Sequence, residues 1–256
     1  MEQAESTLSS LEAWRTAGLR LTAFPSHPVR ADQVGWWGKL TGEEPDYKRS
    51  LRKRGEHREQ GQFKNSLLTL QVQPDRIDWA LTGADEEDQE TVPTVGALPG
   101  AIDGFLDLML SWLDFDDLPP LQRLAFGATL EHRVEDQTQG IEWIAKYLPS
   151  VSLGLEDLSD LVYQINRPRS AESPVNGLRI NRLCKWAVVN RVGGFVKLGP
   201  DSARFERKHN YWACVLDLDI NTVAGSPEEL PTDSLSQVFT ELVELGKQVA
   251  AEGDKP

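Results

Sequence analysis

Leu68-Thr69-Leu70-Gln71-Val72-Gln73-Pro74-Asp75-Arg76-Ile77-Asp78-Trp79-Ala80-Leu81 is the stretch on which the fold turns. Leu68, Leu70 and Val72 alternate with polar residues, and Ile77, Trp79 and Leu81 alternate again after Pro74-Asp75. Period-two alternation sends one set of side chains to one face of a strand. Proline beside aspartate pre-sets a turn, because the ring fixes φ. The pair reads as a β-hairpin with one apolar and one polar face, the signature of an antiparallel sheet.

Upstream, Leu19 to Phe24 reads as a strand stopped by Pro25 and Pro28, which cannot continue a ladder. Before it, residues 1–18 read as a polar lead-in, helical around Leu8, Leu11 and Trp14. Asp32 is placed to cap a short helix carrying Val34, Trp36, Trp37 and Leu40 and closed by Gly42. Lys48 to Gln62 has almost no apolar residues, which predicts a solvated loop or a frayed helix. Downstream, Asp85 to Glu90 reads as an acidic surface loop. Leu98, Ile102, Phe105, Leu106, Met109, Trp112 and Leu113 keep helical spacing.

After Pro119-Pro120 a similar order begins again. Leu124 to Leu130 reads as a strand and Ile141 to Leu148 as a helix; Leu161–Asn166, Leu178–Val189 and Tyr211–Ile220 read as three further strands. Ser226-Pro227-Glu228-Glu229 has the form of a capping box, and Leu235 to Ala250 reads as a final helix with Gly253 beyond it. Arg20-Leu21-Thr22-Ala23-Phe24 and Arg123-Leu124-Ala125-Phe126 stand at corresponding places. The expectation is one α+β domain over 19–256. It has a mainly antiparallel sheet and helices packed on one side; an internal duplication of a β-α-β-β-α unit with halves 19–118 and 119–256 stands against coincidence, since that order is common.

The net charge is −13 over 256 residues, which disfavours non-specific nucleic-acid binding by the molecule as a whole. That charge is unevenly spread. Lys48–Arg58 carries +5 and Arg167–Lys208 carries +7, so the remainder, −13 less +12, carries −25. No run of about 18 apolar residues is present, so no membrane is expected. The first ten residues lack the basic and apolar regions of a signal peptide, and two cysteines form no disulfide framework or metal spacing. A cytoplasmic protein without a cofactor is the expectation.

Phosphate-binding and dinucleotide glycine loops, nucleophile elbows, His-Glu-x-x-His and Cys-x-x-Cys are all missing from the sequence. None of the four histidines is spaced from another as a metal ligand. Two acidic patterns bear on chemistry. Asp217 and Asp219 flank Leu218 on a strand, so both carboxylates share one face, as a pair of Mg²⁺ ligands would. A third carboxylate and a phosphate-cradling loop, which such sites usually add, are not evident. Pro200-Asp201 with Glu206-Arg207-Lys208 resembles the signature of metal-dependent restriction-type nucleases, but the interval is shorter than that family's hairpin.

The basic residues offer more. Arg179, Lys185 and Arg191 alternate with apolar residues on one strand, while Arg182 breaks the pattern. With Arg207, and with Tyr211 or Trp212 for stacking, they form a candidate binding surface for a phosphate backbone or an acidic protein. If the strand from Tyr211 pairs with this one, Asp217 and Asp219 lie near the basic row and form cross-strand ion pairs with it instead. Cys184 and Cys214 fall on the inward face and read as small core residues.

Tyr163-Gln164-Ile165-Asn166-Arg167-Pro168, Gly177-Leu178-Arg179-Ile180-Asn181-Arg182-Leu183, Leu216-Asp217-Leu218-Asp219-Ile220, Gly35-Trp36-Trp37 and Asp75-Arg76-Ile77-Asp78-Trp79 form a recognisable set. Together they resemble a sporadically distributed family of uncharacterised bacterial proteins of similar length, to which no activity is assigned. The resemblance covers most of the chain from Leu19 on. It implies a bacterial, cytoplasmic setting and nothing about mechanism. Three functions are carried forward. The first is a non-enzymatic accessory subunit with a protein partner, on the strength of segregated charge and abundant tryptophan. The second is a metal-dependent enzyme acting on nucleic acid or nucleotides through Asp217 and Asp219. The third is a nucleic-acid-binding module using the basic 167–208 region.

Overall fold

A computed structural model describes residues 11–30, 35–84, 92–151, 158, 160–198, 203–225 and 229–255; for 194–198 and 203–209 only the backbone is described. The first half runs β1 (Arg15–Pro25), α1 (Trp36–Thr41), β2 (Tyr47–Leu51), β3 (Glu56–Phe63), β4 (Ser66–Gln73), β5 (Arg76–Gly83), the two-residue β6 (Gly96–Ala97) and α2 (Leu98–Leu113). The second runs β7 (Leu121–Val134), α3 (Gln137–Ala145), β8 (Val162–Asn166), the short β9 (Arg169–Ser170), β10 (Arg179–Leu198), β11 (Ala203–Thr222) and α4 (Leu235–Glu252). The strands form one 11-stranded sheet in the order β2-β3-β4-β5-β1-β7-β11-β10-β8, with β6 beside β1 and β9 beside β10. Every pairing among the described residues is antiparallel. The class is α+β, as the alternation predicts.

Outward from the β1–β7 seam, β5, β4 and β3 on one side mirror β11, β10 and β8 on the other. Each half lays down its seam strand, then a short helix, then a meander that enters at the far edge and works inward, then a long helix. The Arg20/Arg123 likeness sets Thr22 against Ala125. Those two residues are themselves partners in the seam, as a two-fold relating the halves requires. The two halves therefore share one topology. Among the described residues β2, added beyond β3, has no counterpart in the second half.

Hydrophobic burial concentrates on one face of the sheet, where Leu19, Leu21, Leu68, Leu70, Trp79, Phe126, Leu216 and Ile220 meet α2 and α4. The tryptophans, an argument for an interaction surface on sequence grounds, are core residues. Trp14, Trp36, Trp37, Trp79, Trp112, Trp143 and Trp186 are all buried. Cys184 and Cys214 are free and buried, and burial pushes each thiol up to about 12. They are inert on that account. Close packing also fixes Gly246 on α4. A Cβ there would stand 2.7 Å from the Phe126 ring, so Gly246→Ala is expected to cost about 1–3 kcal/mol, measured by the urea midpoint.

Three expectations change. The lead-in overlaps the sheet, since β1 begins at Arg15 and Trp14 is buried with its Nε1 donating to Ala250 O at 3.0 Å. The segment Lys48–Gln62 is the β2–β3 hairpin and not a loop or frayed helix. Its inward positions are polar, so no hydrophobic alternation marks it. Glu59, 3% exposed, is neutralised by Lys48 Nζ at 2.8 Å and approached by His57 Nε2 at 3.1 Å, while His57 Nδ1 meets Ser50 Oγ at 2.7 Å. Burial of a carboxylate is tolerable only with such partners. The strands read at 178–189 and 211–220 extend to twenty residues each. The Asp32 cap, the Asp85–Glu90 loop and residues 226–228 of the capping box lie outside the described residues. Among the described residues no helix is long and apolar enough to cross a membrane.

Candidate functional site

Among the described residues all four α-helices pack on the core side and leave the other face of the sheet open, and strand register determines which side chains stand on it. Thr22, Asp78, Gln71, Arg58 and Arg49 form one row across β1, β5, β4, β3 and β2. Gly18, Thr129, Asp217, Lys185 and Gln164 form another across β1, β7, β11, β10 and β8. Following these rows, the described strand positions of the open face hold ten cations: Arg15, Arg20, Arg49, Arg58, Arg76, Arg123, Arg133, Arg179, Lys185 and Arg191. They hold five carboxylates: Glu56, Asp78, Glu131, Asp217 and Asp219. A face of net +5 thus belongs to a chain of net −13. Exposed Arg52, Lys53 and Arg54 in the β2–β3 turn extend the basic strip past the sheet.

Three of these carboxylates are ion-paired within the face. Asp78 accepts from Arg76 Nε at 2.7 Å and Nη2 at 2.9 Å, and from Thr22 Oγ1 at 2.6 Å. Glu131, 5% exposed, pairs with Arg191 and accepts from Tyr211 Oη at 3.2 Å. Asp217 accepts from Thr129 Oγ1 at 2.9 Å and pairs with Lys185 Nζ at 3.4 Å. The cross-strand pairing weighed from sequence therefore occurs for Asp217 and Lys185. Asp219 accepts from Asn221 Nδ2 at 3.0 Å.

The residues singled out from sequence separate into groups. Arg179 and Lys185 are on the open face, with Arg179 exposed. Arg191 is committed to Glu131, and Tyr211 is buried with Arg133 5.1 Å over its ring, which leaves no stacking platform there. Asp201 and the side chains of Glu206, Arg207 and Lys208 lie outside what is described. Within the basic 167–208 region, Arg167 turns instead to Asp254, and Arg182 donates to Lys255 O at 3.1 Å. Asp217 and Asp219 do share the open face, but the Lys185 ammonium already neutralises Asp217. Among the described residues no group of three or more His, Cys, Asp or Glu side chains gathers to hold a metal ion.

Sequence reasoning missed the centre of the face. Gly18, Ala80 and Gly127 remove side chains from the middle rows and leave a depression of about 390 Å³, rimmed by Arg20, Thr82, Thr129, Gln164, Lys185, Asp217 and Asp219. That volume lies at the small end of ligand pockets. Arg20 lies flat over Gly127: a Cβ on the glycine would be 3.2 Å from Nη2 and 3.4 Å from Nε. The signal was the glycine on a strand, which marks a close approach.

No family model matches the chain, and no curated protein matches it.

Proposed function

We propose that the chain is a nucleic-acid-binding protein that takes a phosphodiester backbone across the open face of its sheet, in a reducing cytoplasm. One observation carries this reading: ten cations, nine of them arginine, share one face with five carboxylates, and with Arg76, Lys185 and Arg191 paired to Asp78, Asp217 and Glu131, seven cations remain against two carboxylates. Arginine presents a planar fork of donors that matches phosphate, and the amides and hydroxyls between them (Gln60, Thr69, Gln71, Asn181) are residues that contact backbone and base edges. The acidic residues of α2 and α4, on the far side, would turn this face toward a polyanion.

A protein partner, the first expectation from sequence, has less support. Protein interfaces centre on buried aromatic and aliphatic anchors. Among the described residues the exposed large hydrophobics are Tyr47, Val162 and Val192, on β2, β8 and the far part of β10, so no apolar centre forms. Among the described residues the metal-dependent reading finds no third ligand for Asp217 and Asp219.

The test is fluorescence anisotropy with labelled oligonucleotides. Affinity is expected to fall steeply between about 50 and 200 mM salt. Arg49→Glu, Arg58→Glu and Arg76→Glu together are expected to weaken binding about a hundredfold, since each reverses a charge against phosphate. Arg169→Glu with Lys247→Glu, away from the face, is expected to change it little. Absence of binding at low salt, or equal loss from both variants, would sink the reading.

A further inference from the structure

Arg20 has a two-fold counterpart, and the two differ in a way that packing does not explain. Arg123 is held three ways: Nε donates to Thr222 O at 3.0 Å, Nη2 donates to Asn221 Oδ1 at 3.2 Å, and the guanidinium lies 4.7 Å over the Phe24 ring. At the related place across the seam, Arg20 lies over Gly127 in place of a ring. Its Nε is buried without a hydrogen-bond partner, and no ion pair ties it to any described residue. The rest of the Arg20 guanidinium lines the open depression, where a group supplied from outside can meet it, whereas that of Arg123 is held by protein groups on every side described above. The glycine is what lets the guanidinium lie low in the depression.

Arg20 does not stand alone there. Gly127 is flanked by Arg20 on β1 and by Asp219 on β11, and the row beside it brings Thr129 and Lys185. Two ladder spacings separate the Arg20 and Asp219 backbones, about 10 Å, and both side chains line the depression between. A bare anion would suit Arg20 and be repelled by Asp219. A ligand that satisfies both must carry an anionic group and, a few ångströms away, a hydroxyl donor.

From this we infer that the depression takes one ribonucleotide unit, its phosphate on Arg20 and its ribose 2′-hydroxyl donating to Asp219. Carboxylates are good acceptors for ribose hydroxyls, and the 2′-hydroxyl is what distinguishes RNA from DNA at a given contact. The inference rests on the proposed nucleic-acid reading and narrows it to RNA. Lys185, on β10 beyond Asp219, stays paired with Asp217.

RNA and DNA oligonucleotides of one sequence separate the two levels of the argument. On the full chain, RNA is expected to bind about tenfold more tightly than DNA, the worth of one charge-assisted hydrogen bond. Asp219→Ala is expected to erase that preference without weakening DNA. Arg20→Gln, and Gly127→Ala, whose methyl would lift the guanidinium, are expected to weaken RNA binding while thermal unfolding stays near wild type. Competition by a free ribonucleoside 5′-monophosphate, and not by its 2′-deoxy analogue, would assign the subsite to free nucleotides; RNA preference without such competition assigns it to a strand. Equal binding of RNA and DNA, or a preference that survives Asp219→Ala, overturns the inference and leaves the polyanion face standing. Failure of both nucleic acids to bind at low salt removes the parent reading as well.

Discussion

Trp112→Ala is expected to destabilise the fold by about 4 kcal/mol, read as a lower denaturant midpoint. Trp112 is fully buried on α2, with its ring 5.6 Å from Trp36 at an interplanar angle of 75° and 6.1 Å from Trp79 at 68°. Trp37 stacks on Trp79 at 6.1 Å. Trp112 thus joins the short helix α1 to the central hairpin strand β5, and a cavity at this position opens toward both. The Nε1 atoms of Trp36, Trp37, Trp79 and Trp112 have no hydrogen-bond partners, so this cluster is held by packing alone. Trp112→Phe is therefore expected to lose much less than Trp112→Ala. Trp14→Phe, by contrast, should cost more than its lost area, because it strands the Ala250 carbonyl.

Asp254→Ala is expected to cost about 3 kcal/mol, since it removes one member of a mostly buried ion pair. The Asp254 side chain, 3% exposed, accepts from Arg167 Nε and from Nη2 at 2.8 Å, from Tyr163 Oη at 3.0 Å and from Ser150 Oγ at 3.3 Å. Its own N–H donates to Tyr147 O at 2.8 Å. The residue before it, Gly253, has φ +75° and would place a Cβ 2.2 Å from Tyr147 O, so the chain turns there only as glycine. Together these contacts fasten the end of α4 to α3 and β8. Hydrogen bonds from Arg167 above all, then from Tyr163, hold the Asp254 carboxyl below the usual aspartate range, against the opposing pull of burial. Its folded pKa lies below the unfolded value of about 3.9. The stabilisation is thus complete above that value and lost as pH falls through the folded one. Wild type should lose stability over that acid window more steeply than Asp254→Asn, measured by urea unfolding at several pH values. Parallel acid limbs would show that Asp254 does not carry the effect.

Most of the architecture was legible because its inward residues are apolar at the right period. The β4–β5 hairpin, α2, α4 and the inner strands of the second half all announce themselves this way. β2 and β3 did not, because their inward positions are Ser50, His57 and Glu59, and a neutralised polar stripe has no hydrophobic signature. The shared topology of the two halves showed only as the short likeness of Arg20–Phe24 to Arg123–Phe126, and its meaning depended on strand order, which no local pattern carries. The candidate face was half legible. Arg179, Lys185, Asp217 and Asp219 were visible as outward strand positions. Arg49 and Arg58 were visible as part of the basic segment Lys48–Arg58 but were read as loop or frayed helix, and Arg20 and Arg76 were not recognised with them, because sequence distance separates what the β1–β7 seam and the β5–β4–β3–β2 meander bring onto one plane. Burial of Glu131 explains the loss of Arg191 and Tyr211 from the free surface: a buried carboxylate required both as partners.

The central claim is that the open sheet face binds a phosphodiester backbone. The slope of log K against log salt for an oligonucleotide, for wild type and for the Arg49/Arg58/Arg76 charge-reversal variant, tests it most directly. The account predicts a steep negative slope for wild type that becomes shallower by about one for each phosphate contact removed. A wild-type slope near zero, or one that the variant leaves unchanged, would contradict it.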